Sequence, residues 1–158
     1  MIPDSNCGFY ISLIKQKSSR IFEQLLAQAG IGEFNGAQGR ILHVLWQEDE
    51  VPIVLLGKRT GLAVSTLTSM LDRMEGLGLL CRCPDPHDRR KLLIRLTEKA
   101  RGLKEQYDAV SLRISEIYFQ GFQDAEILQL ESYLQRGSSN LDVFQDAAGA
   151  EREPSADK

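Results

Sequence analysis

The sequence predicts a mainly α fold of the α+β class, in which amphipathic helices accompany a single β-hairpin. Two patterns support this class: apolar residues recur every three or four positions over most of the chain, and two short runs of strand-forming residues flank a turn-rich spacer. The chain has 158 residues, of which 42% are hydrophobic and 26% charged. This is enough for one domain, or for a domain with an added dimerisation element.

The composition also indicates a cellular setting. Three cysteines are too few for a disulfide framework and favour a reducing cytoplasm. No apolar stretch approaches the roughly 20 residues needed to cross a bilayer. The N-terminal residues do not show a charged leader followed by an apolar run, so no signal peptide is predicted. We therefore expect a soluble, cytoplasmic protein that does not bind membranes.

Apolar periodicity predicts the helices in order. They cover residues 9–29, about 36–47, 53–59, a segment from Val64 to the glycines at 76 and 78, a long segment that begins with Thr97 as its N-cap, and about 124–136. The last helix should end at Gly137. Residues 138–158 are expected to form a flexible tail, since their end is small, polar and contains Pro and Gly.

The helix that starts at Val64 has one apolar and one polar face. Its apolar residues repeat at i, i+3, i+4 and i+7, namely Leu67, Met70, Leu71 and Met74. The other face carries mostly hydroxyl side chains, namely Ser65, Thr66, Thr68 and Ser69, together with Asp72 and Arg73. Small hydroxyl side chains let a helix approach base edges and phosphates in the major groove of DNA.

A predicted hairpin follows this helix. Its strands cover Leu79–Cys83 and Lys91–Leu96, and its tip is about seven residues long. The second strand should place three apolar residues on one face, namely Leu92, Ile94 and Leu96. A short helix, a polar-faced helix and a hairpin in this order are typical of a winged helix-turn-helix DNA-binding lobe.

Charge is distributed unevenly along the chain. The formal net charge is −3, so a general attraction to polyanions is not expected. Between Arg82 and Lys104, however, eight residues are basic and only three are acidic. The positive charge is therefore concentrated on the hairpin and just after it, while most acids lie elsewhere. A local patch of this kind suits DNA, because the negative potential of a minor groove attracts arginine.

The segment from Val64 to Arg101 resembles the MarR family of winged helix-turn-helix repressors. The matching motifs follow one another in order and spacing: Asp72-Arg73-Met74-Glu75, Gly78-Leu79, Asp85-Pro86-His87-Asp88-Arg89-Arg90 and Leu96-Thr97. The order of elements matches from about residue 9 to residue 137. The resemblance implies a transcriptional repressor that binds double-stranded DNA.

The resemblance also assigns roles to individual residues. It implies that Arg89 and Arg90 enter the minor groove, and that Asp88, together with Asp85, holds them in place through charge-assisted hydrogen bonds. Further DNA contacts are implied for Ser65, Thr66, Thr68, Ser69, Arg73, Lys91, Lys58 and Arg59.

A homodimer with a pseudo-palindromic operator is the implied assembly. Residues 1–35 and 97–137 would form the dimerisation region, and residues 36–96 the DNA-binding lobe. In the family, effectors are often small aromatic or phenolic compounds, and other members respond to oxidation. We expect such an effector to act between the helical base and the lobe.

Two alternatives stay open because the chain departs from the family pattern. Ala63 stands where the family often has serine, and Val64 and Ser69 stand where it often has arginine. Gly57 and Gly39 also replace the usual alanine and a common aromatic residue. The two missing arginines and the acidic pI favour a protein-interaction module that does not bind specific DNA, whereas the intact wing argues against it. Alternatively, Cys7 makes the chain a thiol-based redox-sensing regulator.

No catalytic set or cofactor motif is visible, and we expect no enzyme. Cys81, Cys83 and His87 leave a tetrahedral zinc site short of ligands, so packing is the preferred interpretation of the two cysteines and no metal is expected. His43 lies in an apolar run and is expected to be a core histidine with a satisfied ring nitrogen.

Overall fold

The computed structural model describes residues 3–150, which contain seven helices and three strands. In chain order these are α1 (Cys7–Gln28), α2 (Gly36–Gln47), β1 (Val51–Pro52), α3 (Ile53–Thr60), α4 (Val64–Gly76), β2 (Leu80–Pro84), β3 (Leu92–Leu96), α5 (Glu98–Gly102), α6 (Lys104–Tyr118) and α7 (Asp124–Ala150). Contacts divide the chain into one unit that ends at Tyr118 and a second that starts at Phe119. None of the described helices is long and apolar enough to cross a membrane.

The predicted helices before the hairpin agree with the structure to within one or two residues at each end. The start of α2 shows why: the Asn35 side chain accepts a hydrogen bond from the Gln38 amide at 2.9 Å, and the Gln38 side chain accepts one from the Asn35 amide at 3.1 Å. This reciprocal capping box satisfies two amides that the helix itself leaves unpaired.

The three strands form one antiparallel sheet in the order β1-β3-β2. In the hairpin, Leu80 pairs with Leu96 and Pro84 with Leu92. Strand β1 was not predicted, because a two-residue strand carries no alternation signal. Leu92, Ile94 and Leu96 alternate along β3 as predicted. Leu92 is nevertheless 48% exposed, because it lies at the wing end of β3, beyond the core.

The core of the first unit lies beneath the helix-turn-helix and the sheet. Its largest fully buried side chains come from α1 to α4, from β1, and from the hairpin with the turn before it: Leu26, Ile41, Leu42, Leu45, Leu56, Leu67, Leu71, Met74, Leu79, Leu80, Ile94 and Val51. An aromatic cluster extends this core toward α6. The Tyr107 ring lies 4.9 Å from the Trp46 ring, 6.0 Å from the Phe34 ring and 5.7 Å from the Phe22 ring, measured between centroids.

The predicted long helix after the hairpin is interrupted. Thr97 is its N-cap as predicted, since its hydroxyl accepts a hydrogen bond from the Ala100 amide at 3.3 Å. The helix stops at Gly102, however, and α6 begins at Lys104. The Ala100 carbonyl explains the break. It accepts bonds from the Leu103 amide at 3.2 Å and from the Trp46 indole at 3.0 Å, instead of the i+4 amide that would continue a regular helix.

The prediction that a helix ends at Gly137 and a flexible tail follows is wrong for residues 138–150. Helix α7 runs from Asp124 through Gly137 to Ala150. One interior glycine costs a helix only about 1 kcal/mol relative to alanine, and the residues after it include good helix formers. Residues 151–158 of the predicted tail lie outside the described residues.

Gly39 on α2 is a position where a side chain has no room. A Cβ atom there would lie 2.9 Å from Cε2 of Tyr107 and 3.2 Å from Cε2 of Phe34. We predict that Gly39→Ala lowers the free energy of unfolding by about 1–3 kcal/mol, because two packed rings must shift. Urea unfolding at fixed protein concentration measures this.

Gly137→Ala is the matched control, since a Cβ atom there meets nothing within 4 Å. This variant should unfold at the same or a higher urea concentration, because alanine is the better helix former. A Gly39→Ala protein as stable as the wild type would contradict the packing described here.

Candidate nucleic-acid interface

Helices α3 and α4 form the helix-turn-helix. Gly61 joins them with a left-handed φ of 69°, a conformation that side chains rarely adopt. The Thr60 hydroxyl donates to the Leu56 carbonyl at 2.7 Å and closes the end of α3. Leu56 and Leu67 are fully buried and fasten the two helices to the core. The opposite side of α4 is left exposed.

The structure brings the predicted residues of α4 together on this exposed side. Each of the following is exposed: Ser65, Thr66, Thr68, Ser69 and Arg73. Two of the hydroxyls donate to carbonyls one turn earlier in the helix, Thr68 to Val64 at 2.8 Å and Ser69 to Ser65 at 3.4 Å. The DNA contacts of these residues stay a prediction.

The wing tip is a tight turn closed by its own carboxylates. Main-chain bonds join the Asp85 amide to the Lys91 carbonyl and the Lys91 amide to the Asp88 carbonyl, both at 2.9 Å. The Asp85 carboxylate also accepts the His87 amide at 2.8 Å. Asp88 accepts both the amide and the Nε of Arg90, at 3.1 and 3.2 Å. The Arg90 side chain is nevertheless 92% exposed, so its other guanidinium nitrogens face solvent.

Arg82 joins the wing to helix α4. Its guanidinium is 2.6 Å from Oδ1 of Asp72 and also pairs with Glu75, and its amide donates to Glu75 Oε1 at 3.0 Å. Desolvation lowers the pKa of Arg82, but its hydrogen bonds to Asp72 and Glu75 outweigh this and raise the pKa overall. This role was not predicted from the sequence, and Arg82 was expected only to add to the positive charge of the hairpin. Two acids three residues apart on one helix were the available signal.

The predicted basic patch is smaller than its composition indicates. The acidic turn of Glu48, Asp49 and Glu50 provides the partners of three arginines. The ion-pair distances are 2.5 Å for Arg59–Glu48, 2.8 Å for Arg95–Glu50 and 2.7 Å for Arg101–Asp49. The expectation that most acids lie away from the basic patch therefore holds along the sequence but not in the folded chain.

Four predicted contact cations keep an exposed side chain without an ion pair to any other described residue, and they lie on α3, on α4 and at the wing tip: Lys58, Arg73, Arg89 and Lys91. With Arg90 they form what we call the exposed cation set. Arg59, which was also predicted as a phosphate contact, differs because Glu48 neutralises it.

The cysteines and histidines have ordinary surroundings. Cys81 and Cys83 are half-buried, and the Cys83 thiol lies 3.6 Å from the Leu93 carbonyl oxygen. Cys7 is exposed at the start of α1. Within residues 3–150, no group of three or more His, Cys, Asp or Glu residues is arranged to hold a metal ion. The prediction that His43 lies in the core is wrong, because the residue is exposed. The predicted partner for a ring nitrogen is present, since Nε2 of His43 lies 3.0 Å from the side-chain Nε2 of Gln47.

A cleft of 650 Å³ opens between α1, α2 and α6. Aromatic and aliphatic side chains line it, among them Phe22, Tyr107 and Ile114. Lys15, Arg40 and His43 line it as well. Burial raises the pKa of Tyr107, although a hydrogen bond to Ser111 opposes the effect. The individual residues of this cleft were not predicted, because they come from three helices that are distant in sequence.

The fold and the exposed cation set define a winged helix-turn-helix protein, and comparison with known proteins gives its family. The MarR family model matches residues 34–92. The HTH-type transcriptional regulator TtmR of Methylorubrum extorquens (strain PA1) is 35% identical over 107 residues, which are 68% of this chain and 53% of TtmR. The multiple antibiotic resistance protein MarR of Escherichia coli (strain K12) is 30% identical over 99 residues, which are 63% of this chain and 67% of that protein.

Solved structures are similar over most of the chain. BpsR of Bordetella bronchiseptica, whose DNA binding is regulated by 6-hydroxynicotinic acid, has a TM-score of 0.76 at 25% identity and covers 87% of this chain and 98% of its own. A mutant MarR from E. coli complexed with operator DNA has a TM-score of 0.73 at 25% identity and covers 82% of this chain and 91% of its own.

The chain belongs to the MarR family, and the predicted resemblance and fold class are thereby confirmed. The relatives TtmR and IacR of Pseudomonas putida are transcriptional regulators, not enzymes. The chain spans about half the length of TtmR.

The pairing of Arg59 with Glu48 generates a prediction. Glu48→Gln removes the carboxylate partner and should leave Arg59 free to contact a phosphate. We expect DNA to bind more tightly at low salt, and the slope of log K against log salt to steepen by at most about one phosphate contact, ~0.9. Fluorescence anisotropy across a salt series measures both quantities.

Glu116→Gln on α6 is the control, because it breaks a comparable exposed pair with Arg113 and removes the same charge. It should change the salt slope little. An unchanged slope in Glu48→Gln would remove Arg59 from the DNA interface.

Proposed function

We propose that the protein is a homodimeric repressor that binds a pseudo-palindromic DNA operator and is released by a small-molecule signal. The observation that carries this proposal is the wing tip. Arg89 and Arg90 stay exposed there while Asp88 and Asp85 hold the turn from within. A turn ordered by its own carboxylates presents arginine with little loss of conformational entropy on binding.

The exposed cation set suits two neighbouring grooves. The hydroxyl side of α4 enters the major groove, and Arg89 and Arg90 enter the adjacent minor groove, whose negative potential attracts them. Lys58 and Lys91 contact phosphates. The operator complex of the similar E. coli MarR supports this docking. Residues 36–96 are the proposed DNA-binding lobe, and its DNA target places the protein in the cytoplasm.

Apolar side chains left exposed on the helices support a homodimer. In the first unit, α1 exposes Phe9, Tyr10, Ile11 and Ile14, and α6 exposes Leu112 and Ile117. In the second unit, α7 exposes Leu128, Tyr133, Leu134, Leu141, Val143 and Phe144. Water contact with this much apolar surface is unfavourable, and a two-fold interface would cover it. Residues 1–35 and 97–137 are the proposed dimerisation region, extended by the remainder of α7.

The cleft between α1, α2 and α6 is the proposed effector site. Its aromatic residues Phe22 and Tyr107 favour a planar ring, and Lys15 and Arg40 favour a negative charge on it. BpsR, which responds to 6-hydroxynicotinic acid, supports an aromatic acid as the class of effector. Some conformations of the dimer cannot contact both operator half-sites at once. A ligand that binds such a conformation more tightly raises its population and so weakens operator binding.

A thiol-based sensor is the second candidate, and the exposed Cys7 thiol is the observation that favours it. If hydroperoxide releases the wild type from DNA and Cys7→Ser abolishes that response, the signal is oxidative. If both proteins respond alike, Cys7 is not the sensor. A protein-interaction module without specific DNA binding is the remaining alternative, and the salt series below distinguishes it.

The wing arginines provide the direct test. The wild-type protein first selects a duplex from a random pool. The affinity of this duplex for the wild type and for Arg89→Ala/Arg90→Ala is then measured across a salt series. We expect the double variant to lose affinity at least tenfold and to show a shallower salt slope, because two cations leave the interface.

Arg113→Ala/Arg136→Ala removes the same charge outside residues 36–96 and should bind nearly as the wild type. If neither the wild type nor the variants bind any duplex above a non-specific level, the interaction-module alternative replaces this proposal.

Asp88 gives a prediction in which two effects have opposite signs. Removing an acid near DNA strengthens the Coulomb attraction, so charge alone makes Asp88→Ala bind more tightly. If Asp88 orders the turn and Arg90, the same variant binds more weakly, and we expect that result. Anisotropy against the selected duplex decides it, with Glu105→Ala on α6 as a charge-matched control. Tighter binding of Asp88→Ala than of Glu105→Ala would contradict a bracing role.

A further inference from the structure

Two of the four hydroxyl groups in the first two turns of α4 are already used as hydrogen-bond donors within the helix. The Thr68 hydroxyl donates to the Val64 carbonyl at 2.8 Å, and the Ser69 hydroxyl donates to the Ser65 carbonyl at 3.4 Å. A hydroxyl group has one proton, so these oxygens are left to face DNA as acceptors.

The same turns lack the side chains that read purines by paired hydrogen bonds. Residues 64–72 contain no Arg, Lys, Asn or Gln, which are the types that bind guanine or adenine edges in a bidentate way. The carboxylate of Asp72 is engaged by Arg82 at 2.6 Å. Arg73, the one arginine of α4, lies nine residues after Val64, about 13 Å along the helix axis.

Besides the exposed hydroxyls of Ser65 and Thr66, these turns present methyl groups. Val64 is the first residue of α4 and is 51% exposed. Thr68 follows it by four residues and is exposed. Because its hydroxyl is turned toward the Val64 carbonyl, its Cγ2 methyl is the group left on the outer side. Residues i and i+4 are neighbours on a helix surface, so the two side chains form one small apolar patch.

We propose that Val64 and Thr68 read thymine through its C5-methyl group in the major groove. This inference rests on the proposed function and adds the base that the recognition helix prefers. Among the four base pairs, only A·T and T·A carry a methyl group on the major-groove edge, and an apolar side chain is its complement. Each operator half-site therefore contains at least one thymine whose methyl group contributes to affinity.

Deoxyuridine isolates the effect, because it pairs as thymidine does and lacks only the C5-methyl. In the duplex selected with the wild-type protein, each thymine of a half-site is replaced singly, and the Kd is measured by anisotropy at fixed salt. At one or two positions we expect binding to weaken about fourfold, which corresponds to the ~0.8 kcal/mol for burying one methyl-sized group.

Two substitutions of Thr68 separate its methyl from its hydroxyl. Thr68→Ser keeps the hydroxyl and removes the methyl, whereas Thr68→Val keeps the methyl and removes the hydroxyl. We expect Thr68→Ser to bind the thymine duplex more weakly and to lose discrimination against deoxyuridine at one position, while Thr68→Val retains it. Val64→Ala should lose discrimination in the same way, and unfolding curves confirm that each variant is folded.

The outcomes are distinct. A half-site without thymine, or a Kd that no deoxyuridine changes, overturns the inference while the proposed function stands. Discrimination that survives in both Thr68→Ser and Val64→Ala overturns the assignment to these residues. Failure to recover any duplex, or binding that does not need the wing arginines, overturns the proposed function and the inference with it.

Discussion

The attachment of the wing to helix α4 through Arg82 is the interaction on which the proposed interface depends. A β-hairpin that projects from a small sheet can pivot about its base, and an arginine at its tip would then sample many positions. Arg82 opposes this motion, because it lies at the middle of β2 and bonds to two carboxylates on α4. Thr97 and Lys99 add bonds from the other side of the hairpin to the carbonyls of Gly78 and Leu77, at 2.7 and 3.0 Å. The wing and α4 are therefore held together as one body.

The acidic turn has a complementary effect on charge. Glu48, Asp49 and Glu50 neutralise arginines that would otherwise spread positive potential over the lobe. Asp49 also accepts the Leu96 amide at 2.9 Å and so ties the turn to the sheet. Among the predicted DNA-contact residues, the exposed cation set on α3, on α4 and at the wing tip stays positive. A chain of net charge −3 can thus still present a local positive surface to a ligand.

Features of the fold that are set by residues close together in the chain could be predicted from the sequence. Features that depend on pairing between distant residues could not. The amphipathic spacing on α4 and the proline-containing wing are each set by residues close together in the chain, so the sequence predicts them well. The break at Leu103 depends on Trp46, which lies more than fifty residues earlier and claims the Ala100 carbonyl. The partners of Arg59, Arg95 and Arg101 likewise come together only after folding. At Gly137 the error has another origin: a glycine ends a helix where it adopts the left-handed conformation, and Gly137 does not have a positive φ.

The most direct test of the account is a double-mutant cycle between Arg82 and Glu75, measured on DNA binding and on unfolding. Arg82→Met keeps the apolar stem, Glu75→Gln keeps the side-chain shape, and the double variant completes the cycle. If the attachment aligns the wing with α4, the two changes are coupled by about 1 kcal/mol or more in the free energy of DNA binding. Additive effects on DNA binding, with any coupling confined to the free energy of unfolding, would contradict the account.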